Sequence, residues 1–176
     1  MNRVGHRFAW LAPFVLVSGC AGLMMDVDDR PGSDSAVVLA AGSSVRVAAP
    51  TMTDEVRGAL PEGYRNGRLE SLLQADLVRA LTERGVSASA GDDGDSVLKV
   101  RVTDFSSGSG AARMFLSGSG IGDSKLNGTA ILITPSGRRE LEVRKVGSQS
   151  GAMETGSQVA ENIDYFTSAL AGTIVQ

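Results

Sequence analysis

The chain has 176 residues, with 17 Lys and Arg against 20 Asp and Glu, one Cys and one His. A mildly acidic chain carries no basic patch for phosphate backbones, which argues against nucleic-acid partners. A lone cysteine permits no internal disulfide, and a lone histidine, His6, leaves little for acid–base or metal chemistry.

Arg3 and Arg7, the apolar run from Phe8 to Val17 and the small pair Ser18-Gly19 have the layout of a secretory signal. Val17-Ser18-Gly19-Cys20 looks like a bacterial lipobox, with cleavage expected between Gly19 and Cys20 and lipid on the Cys20 sulfur. A membrane span needs about 20 apolar residues, and this run is roughly half that length and contains Pro13. Diacylglyceryl and amide-linked chains on Cys20 would anchor the protein without one, each buried methylene adding about 0.8 kcal/mol. Ala21 stands where an aspartate would mark inner-membrane retention, which by enterobacterial analogy points to the periplasmic side of the outer membrane. Residues 1–19 are thus expected to be a signal peptide that removes His6 with it. Because Arg3 and Arg7 fall in that segment and no acidic residue does, the remainder carries 15 basic against 20 acidic side chains.

Residues 20–43 are expected to be the lipidated cysteine and a flexible acidic tether, since Asp26, Asp28, Asp29, Pro31, Gly32 and Asp34 follow no obvious strand or helix period. The aspartates lack the alternating ligands, central glycine and closing glutamate of a calcium loop, so no metal is expected there. A single domain is expected over 44–176. Ser44 to Ala48 alternates polar and apolar before Pro50 and suits a first strand. A helix is predicted from Asn66 or Gly67 to Gly85, with Leu69, Leu72, Leu73, Leu77, Ala80 and Leu81 on one face. Val86 to Ala90 reads as a short strand. Leu98, Val100 and Val102 alternate with Lys99, Arg101 and Thr103 in a half-buried strand. Leu126 to Thr134 and Arg139 to Val146 flank Pro135-Ser136-Gly137-Arg138, a hairpin signal read as a type I turn with a bulge. From Thr155, the stripe Val159, Ile163, Phe166, Leu170 and Ile174 predicts a second amphipathic helix. The expected fold is an α+β two-layer sandwich: a mostly antiparallel sheet of about four to five strands packed against two amphipathic helices.

Between the central strands, Gly118, Gly120 and Gly122 recur at the strand period and would leave a groove without side chains. With Arg113, Met114, Phe115 and Leu116 they form the candidate interaction surface. Gly118-Ser119-Gly120 near Lys125 lacks the Gly-Lys-Ser ending of a phosphate cradle. A glycine-punctuated strand with a helix packed on it would explain the same residues, and an apolar loop touching lipid or a partner is a further reading.

The order Val102-Thr103-Asp104-Phe105, then Gly108 to Arg113, then Gly118-Ser119-Gly120-Ile121-Gly122 before a strand and hairpin resembles the bacterial lipoprotein family known as domain of unknown function 4410. The resemblance runs from about Val45 to the C-terminal end. It implies an outer-membrane or periplasmic lipoprotein with no assigned activity, and it carries over no catalytic residue. The order of helices and strands also looks like that of periplasmic domains in secretion and envelope-assembly lipoproteins.

No enzyme is expected. Leu116-Ser117-Gly118-Ser119-Gly120 lacks the leading glycine of a nucleophile elbow, and nothing sets Lys99, Lys125 or Lys145 beside a particular serine. The pairs Asp92-Asp93 and Glu140/Glu142 read as solvated turn and strand charges. No cofactor is expected. The expected role is a non-catalytic lipoprotein presenting a small domain to an envelope protein partner or to copies of itself. The alternative is a periplasmic binding module that takes a small molecule, glycan or lipid in the glycine-rich groove.

Overall fold

The computed structural model describes residues 24–106, 125–146 and 155–176. Seven strands form one sheet: β1 Met24–Asp29, β2 Ser44–Val47, β3 Thr51–Met52, β4 Ser87–Ala90, β5 Val97–Ser106, β6 Lys125–Thr134 and β7 Gly137–Val146. The helices are α1 Asp54–Ala59, α2 Arg68–Thr82 and α3 Thr155–Ile174, with a 3-10 turn at Glu62–Tyr64. The sheet runs β1-β7-β6-β5-β2-β4, and β3 pairs with β5 off that path. The α+β class therefore holds, but the sheet is larger than four to five strands. It is also more evenly mixed than expected: β1/β7, β6/β7 and β5/β6 are antiparallel, whereas β2/β4, β2/β5 and β3/β5 are parallel. The parallel half follows from connectivity, because the chain between β2 and β4 contains α2 and so returns in the same direction.

Alternation assigns the two faces of the sheet. Leu98, Val100 and Val102 of β5, Leu126, Ala130 and Leu132 of β6, and Leu141 and Val143 of β7 are buried toward the helices. Lys99, Arg101, Arg138 and Arg144 point the other way and are exposed. The β6–β7 hairpin is tighter than the bulged turn expected: Thr134 pairs directly with Gly137, leaving Pro135-Ser136 as the link. Gly137 has φ +154°, and a Cβ on it would stand 3.0 Å from Val37 Cγ2, so glycine is required on both counts.

On α2, Leu69, Leu73, Leu77, Ala80 and Leu81 are buried as expected, but Leu72 is 39% exposed, one step off the stripe that faces the sheet. Gly67 (φ +81°) and Gly85 (φ +82°) bound the helix in the left-handed conformation. All five predicted α3 positions, Val159, Ile163, Phe166, Leu170 and Ile174, are buried. Phe166 is seated by Gly128, where a Cβ would fall 3.1 Å from Phe166 Cζ and 2.7 Å from the Arg101 carbonyl oxygen. The two helices are tied by Arg84 donating to the Ser168 carbonyl (3.0 Å) and by Arg79 to Asp164 (2.8 Å).

From Met24 onward, the expected tether is part of the folded domain. Met24–Asp29 is the strand β1, pairing with β7 from Met24↔Val146 to Asp29↔Leu141. Its Met25 and Val27 pack against the core while Asp26 and Asp28 face solvent, a period-two pattern hidden by its acidic composition. Further along, Val37 and Leu39 are each 2% exposed, and Leu39 N donates to the Ile174 carbonyl at 2.7 Å. The domain thus begins by Met24 and not at 44. Also beyond the sequence-based reading are β3 and α1, the latter capped by Thr53 Oγ1 accepting from Val56 N at 3.3 Å, with Asp54 and Glu55 in its first turn.

Candidate anchoring end and interaction surfaces

Cys20 and Gly19, the expected lipidation and cleavage positions, lie outside the described residues, as do Arg113, Met114, Phe115, Leu116, Gly118, Gly120 and Gly122 of the candidate interaction surface. The structure does place the points where the chain leads to them. β1 starts at Met24 beside Val146, the last residue of β7. Ser106, the last residue of β5, pairs with Lys125, the first of β6. Since β6 and β7 are antiparallel neighbours, Met24, Val146, Lys125 and Ser106 all belong to one end of the sheet. Residues 107–124, which carry the glycine-rich stretch, leave and return there. Four residues of chain reach at most about 14 Å, which bounds the distance from Met24 to Cys20.

What holds β1 in place is a charge cluster of two kinds. On the helix side, Arg139 is 7% exposed; its Nε donates to Asp29 Oδ1 (2.7 Å), its Nη2 to Oδ2 (3.2 Å) and its Nη1 to the Thr173 carbonyl near the end of α3 (3.3 Å). The two-pronged geometry matches a guanidinium to a carboxylate. On the solvent side, Arg144 Nη2 contacts Asp28 Oδ2 at 2.6 Å, a bond that raises the already high guanidinium pKa.

The face of the sheet away from the helices is polar and graded in charge. Arg101 of β5, Thr129 of β6, Glu142 of β7 and Asp28 of β1 form one row across four strands. Its basic end, Arg101 with Lys99, has no ion pair among the described residues, while Glu140 is shared by Arg30 and Arg138. Ile133, beside the β6–β7 turn, is 36% exposed on this face. Both sheet edges, β1 and β4, are unpaired on their outer sides among the described residues.

At the end of the sheet opposite Met24, an open cleft of about 390 Å³ lies between β2, β4 and the loop 91–96. Strand alternation turns Ser44 and Arg46 of β2 and Ser87 and Ser89 of β4 into it, and Asp93, Asp95 and Ser96 close the other side. The sequence reads Asp92 and Asp93 as turn charges and carries no local signal of the cleft, because its lining comes from two strands and a loop that only the fold brings together. Among the described residues no helix is long and apolar enough to cross a membrane.

The family model described as "Domain of unknown function (DUF4410)" matches residues 42–172. No curated protein matches the chain by sequence. Among solved structures, a PelC dodecamer from Paraburkholderia phytofirmans is similar at a TM-score of 0.54 and 14% identity, covering 87% of this chain and 99% of that one. A crystal structure of an uncharacterized protein is similar at a TM-score of 0.56 and 16% identity, over 78% of this chain and 95% of that one. At these identities the likeness is one of fold.

Proposed function

The chain belongs to the DUF4410 family, and on that premise we propose that it is a non-catalytic bacterial lipoprotein. It is anchored through Cys20 to the periplasmic face of the outer membrane and presents its α+β domain to an envelope protein partner or to further copies of itself. The observation that carries this reading is the short reach from Cys20 to Met24. A lipid at Cys20 would hold the Met24 end of the sheet within about 14 Å of the anchor, with residues 107–124 departing from the same end. Such a leash fixes which end of the domain meets the bilayer, a constraint that a long tether would not impose.

Metabolic labelling with an alkyne fatty acid tests the anchor. The expected result is label on the wild-type protein in the outer-membrane fraction and none on Cys20→Ala, which moves to the soluble periplasmic fraction. Unlabelled wild-type protein recovered as a soluble species would overturn it. For the contact role, a photocrosslinking residue at Ser117 is expected to trap a discrete protein neighbour in intact cells, and capture of none counts against it.

Self-association is favoured by a specific likeness: the similar PelC fold is a dodecamer. The edges β1 and β4, unpaired among the described residues, and the charge gradient across the open face supply unlike surfaces for head-to-tail contact. Sedimentation of the full chain in detergent is expected to give an assembly larger than one copy. A monomer at micromolar concentration would remove this part of the reading.

A further inference from the structure

We propose that the cleft between β2, β4 and the loop 91–96 is a binding site for an uncharged polyhydroxylated ligand, an oligosaccharide end. It is built from parts that have no other evident task. Gly91 and Gly94 let the loop lie on the aliphatic stem of Arg46: a Cβ on Gly94 would stand 2.8 Å from Arg46 Cγ, and one on Gly91 3.5 Å from Cδ. Gly91 also takes φ +148° and donates to the Val47 carbonyl at 2.9 Å, which fixes the start of the loop. With its stem held, the Arg46 guanidinium donates one hydrogen bond to Ser89 Oγ at 2.8 Å and keeps its remaining donors for the cleft.

The lining selects the ligand class. Apolar ligands find no wall, since Val45 is the one hydrophobic side chain there and it is 2% exposed. Anions meet one guanidinium against two carboxylates, Asp93 and Asp95, a balance that repels them. A metal ion has no seat, because among the described residues no group of three His, Cys, Asp or Glu is arranged to hold one. What remains is a ligand that both donates and accepts at several points. The hydroxyls of Ser44, Ser87 and Ser96 make no hydrogen bond among the described residues, and Asp93 and Asp95 make no ion pair there, so hydroxyl donors and carboxylate acceptors converge unoccupied. Vicinal hydroxyls match that mixture, and the volume falls within the about 300–1,000 Å³ of small-molecule sites. β5 begins beside Arg46 and ends at Ser106, so the cleft stands about 30 Å from the end where Met24 lies. This proposal does not depend on the anchor.

Calorimetric titration of the full chain in detergent tests it, with maltotriose and N,N′-diacetylchitobiose as probes and inorganic phosphate and spermidine as charged counterparts. At least one oligosaccharide is expected to bind saturably and more tightly than either charged probe. Arg46→Ala and Asp95→Asn should each weaken that binding about tenfold or more, the size of a lost charge-assisted hydrogen bond. Asp95 is exposed and its replacement keeps the shape, so an unchanged melting curve for Asp95→Asn separates loss of binding from loss of fold. Failure of both oligosaccharides to bind, binding that survives unchanged in either variant, or tighter binding of phosphate or spermidine would each overturn the assignment.

Discussion

Arg139 and Asp29 are 110 positions apart in sequence and joined by two hydrogen bonds of 2.7 and 3.2 Å, which fastens the edge strand β1 to β7 and, through the Thr173 carbonyl, to the end of α3. The guanidinium is nearly enclosed, with its side chain 8% exposed, whereas the Asp29 side chain keeps 33% exposure. Removing the arginine leaves a half-solvated carboxylate, but removing the carboxylate's charge leaves a buried cation. Arg139→Met is therefore expected to lower the unfolding free energy by about 1–2 kcal/mol and Asp29→Asn by about 2–3 kcal/mol. Urea denaturation checks the order. Equal and negligible losses would mean that β1 is not held by this pair.

Gly128 offers a separate test of the α3 seat. An added methyl meets Phe166 at 3.1 Å and the Arg101 carbonyl oxygen at 2.7 Å, and the second contact is backbone that cannot swing away. Gly128→Ala is expected to cost about 1–3 kcal/mol by overpacking. Adding Phe166→Leu should recover only part of that loss, because the clash with the Arg101 backbone persists. Full recovery in the thermal midpoint would place the whole conflict on the ring.

Arg79 contacts Asp76, Glu83 and Asp164 at 2.8–3.3 Å, yet its side chain is 48% exposed. The bond to Asp164, followed by those to Glu83 and Asp76, raises its pKa above an already high value. A raised folded pKa stabilises at pH below the unfolded value and is lost only as pH climbs through the folded one. Both lie far above neutrality, so this cluster should give no slope of stability between pH 6 and 9. Arg79→Met is expected to shift the thermal midpoint little in moderate salt, since exposed pairs are screened. A large, salt-independent drop would show that the cluster carries α2–α3 packing.

Elements that bury one clean face were legible in the sequence: β5, α2 and α3 were found because Leu98/Val100/Val102, Leu69/Leu73/Leu77 and Ile163/Phe166/Leu170 each keep one period. β1 was not, because an edge strand whose inner side holds only two apolar residues, Met25 and Val27, with Asp29 beside them and Asp26 and Asp28 on the other side, has the composition of a tether. Leu72 was misassigned because a leucine one step off the stripe contributes to the same apolar count as one on it. The parallel pairing of β2 with β4 could not be read locally, since it depends on where α2 returns the chain. The cleft at Arg46 was illegible for a similar reason: Arg46 and Asp93 are brought together by strand order and by two glycines that admit the loop, and neither residue type is unusual alone.

The long separation between the partners of β1 has a kinetic side. The β6–β7 ribbon closes over a two-residue link, whereas docking β1 must close a loop of 110 residues at Asp29, at a much greater entropic cost. The ribbon is expected to form early and β1 to join late and to leave first. The Arg30 N–H donates to the Glu140 carbonyl, so by alternation the amides of Asp26 and Asp28 are the ones that face β7; in native-state hydrogen exchange these should lose protection at lower opening free energies than those of Ala130 and Leu132. Equal protection would mean that the edge strand belongs to the same cooperative unit as the centre of the sheet.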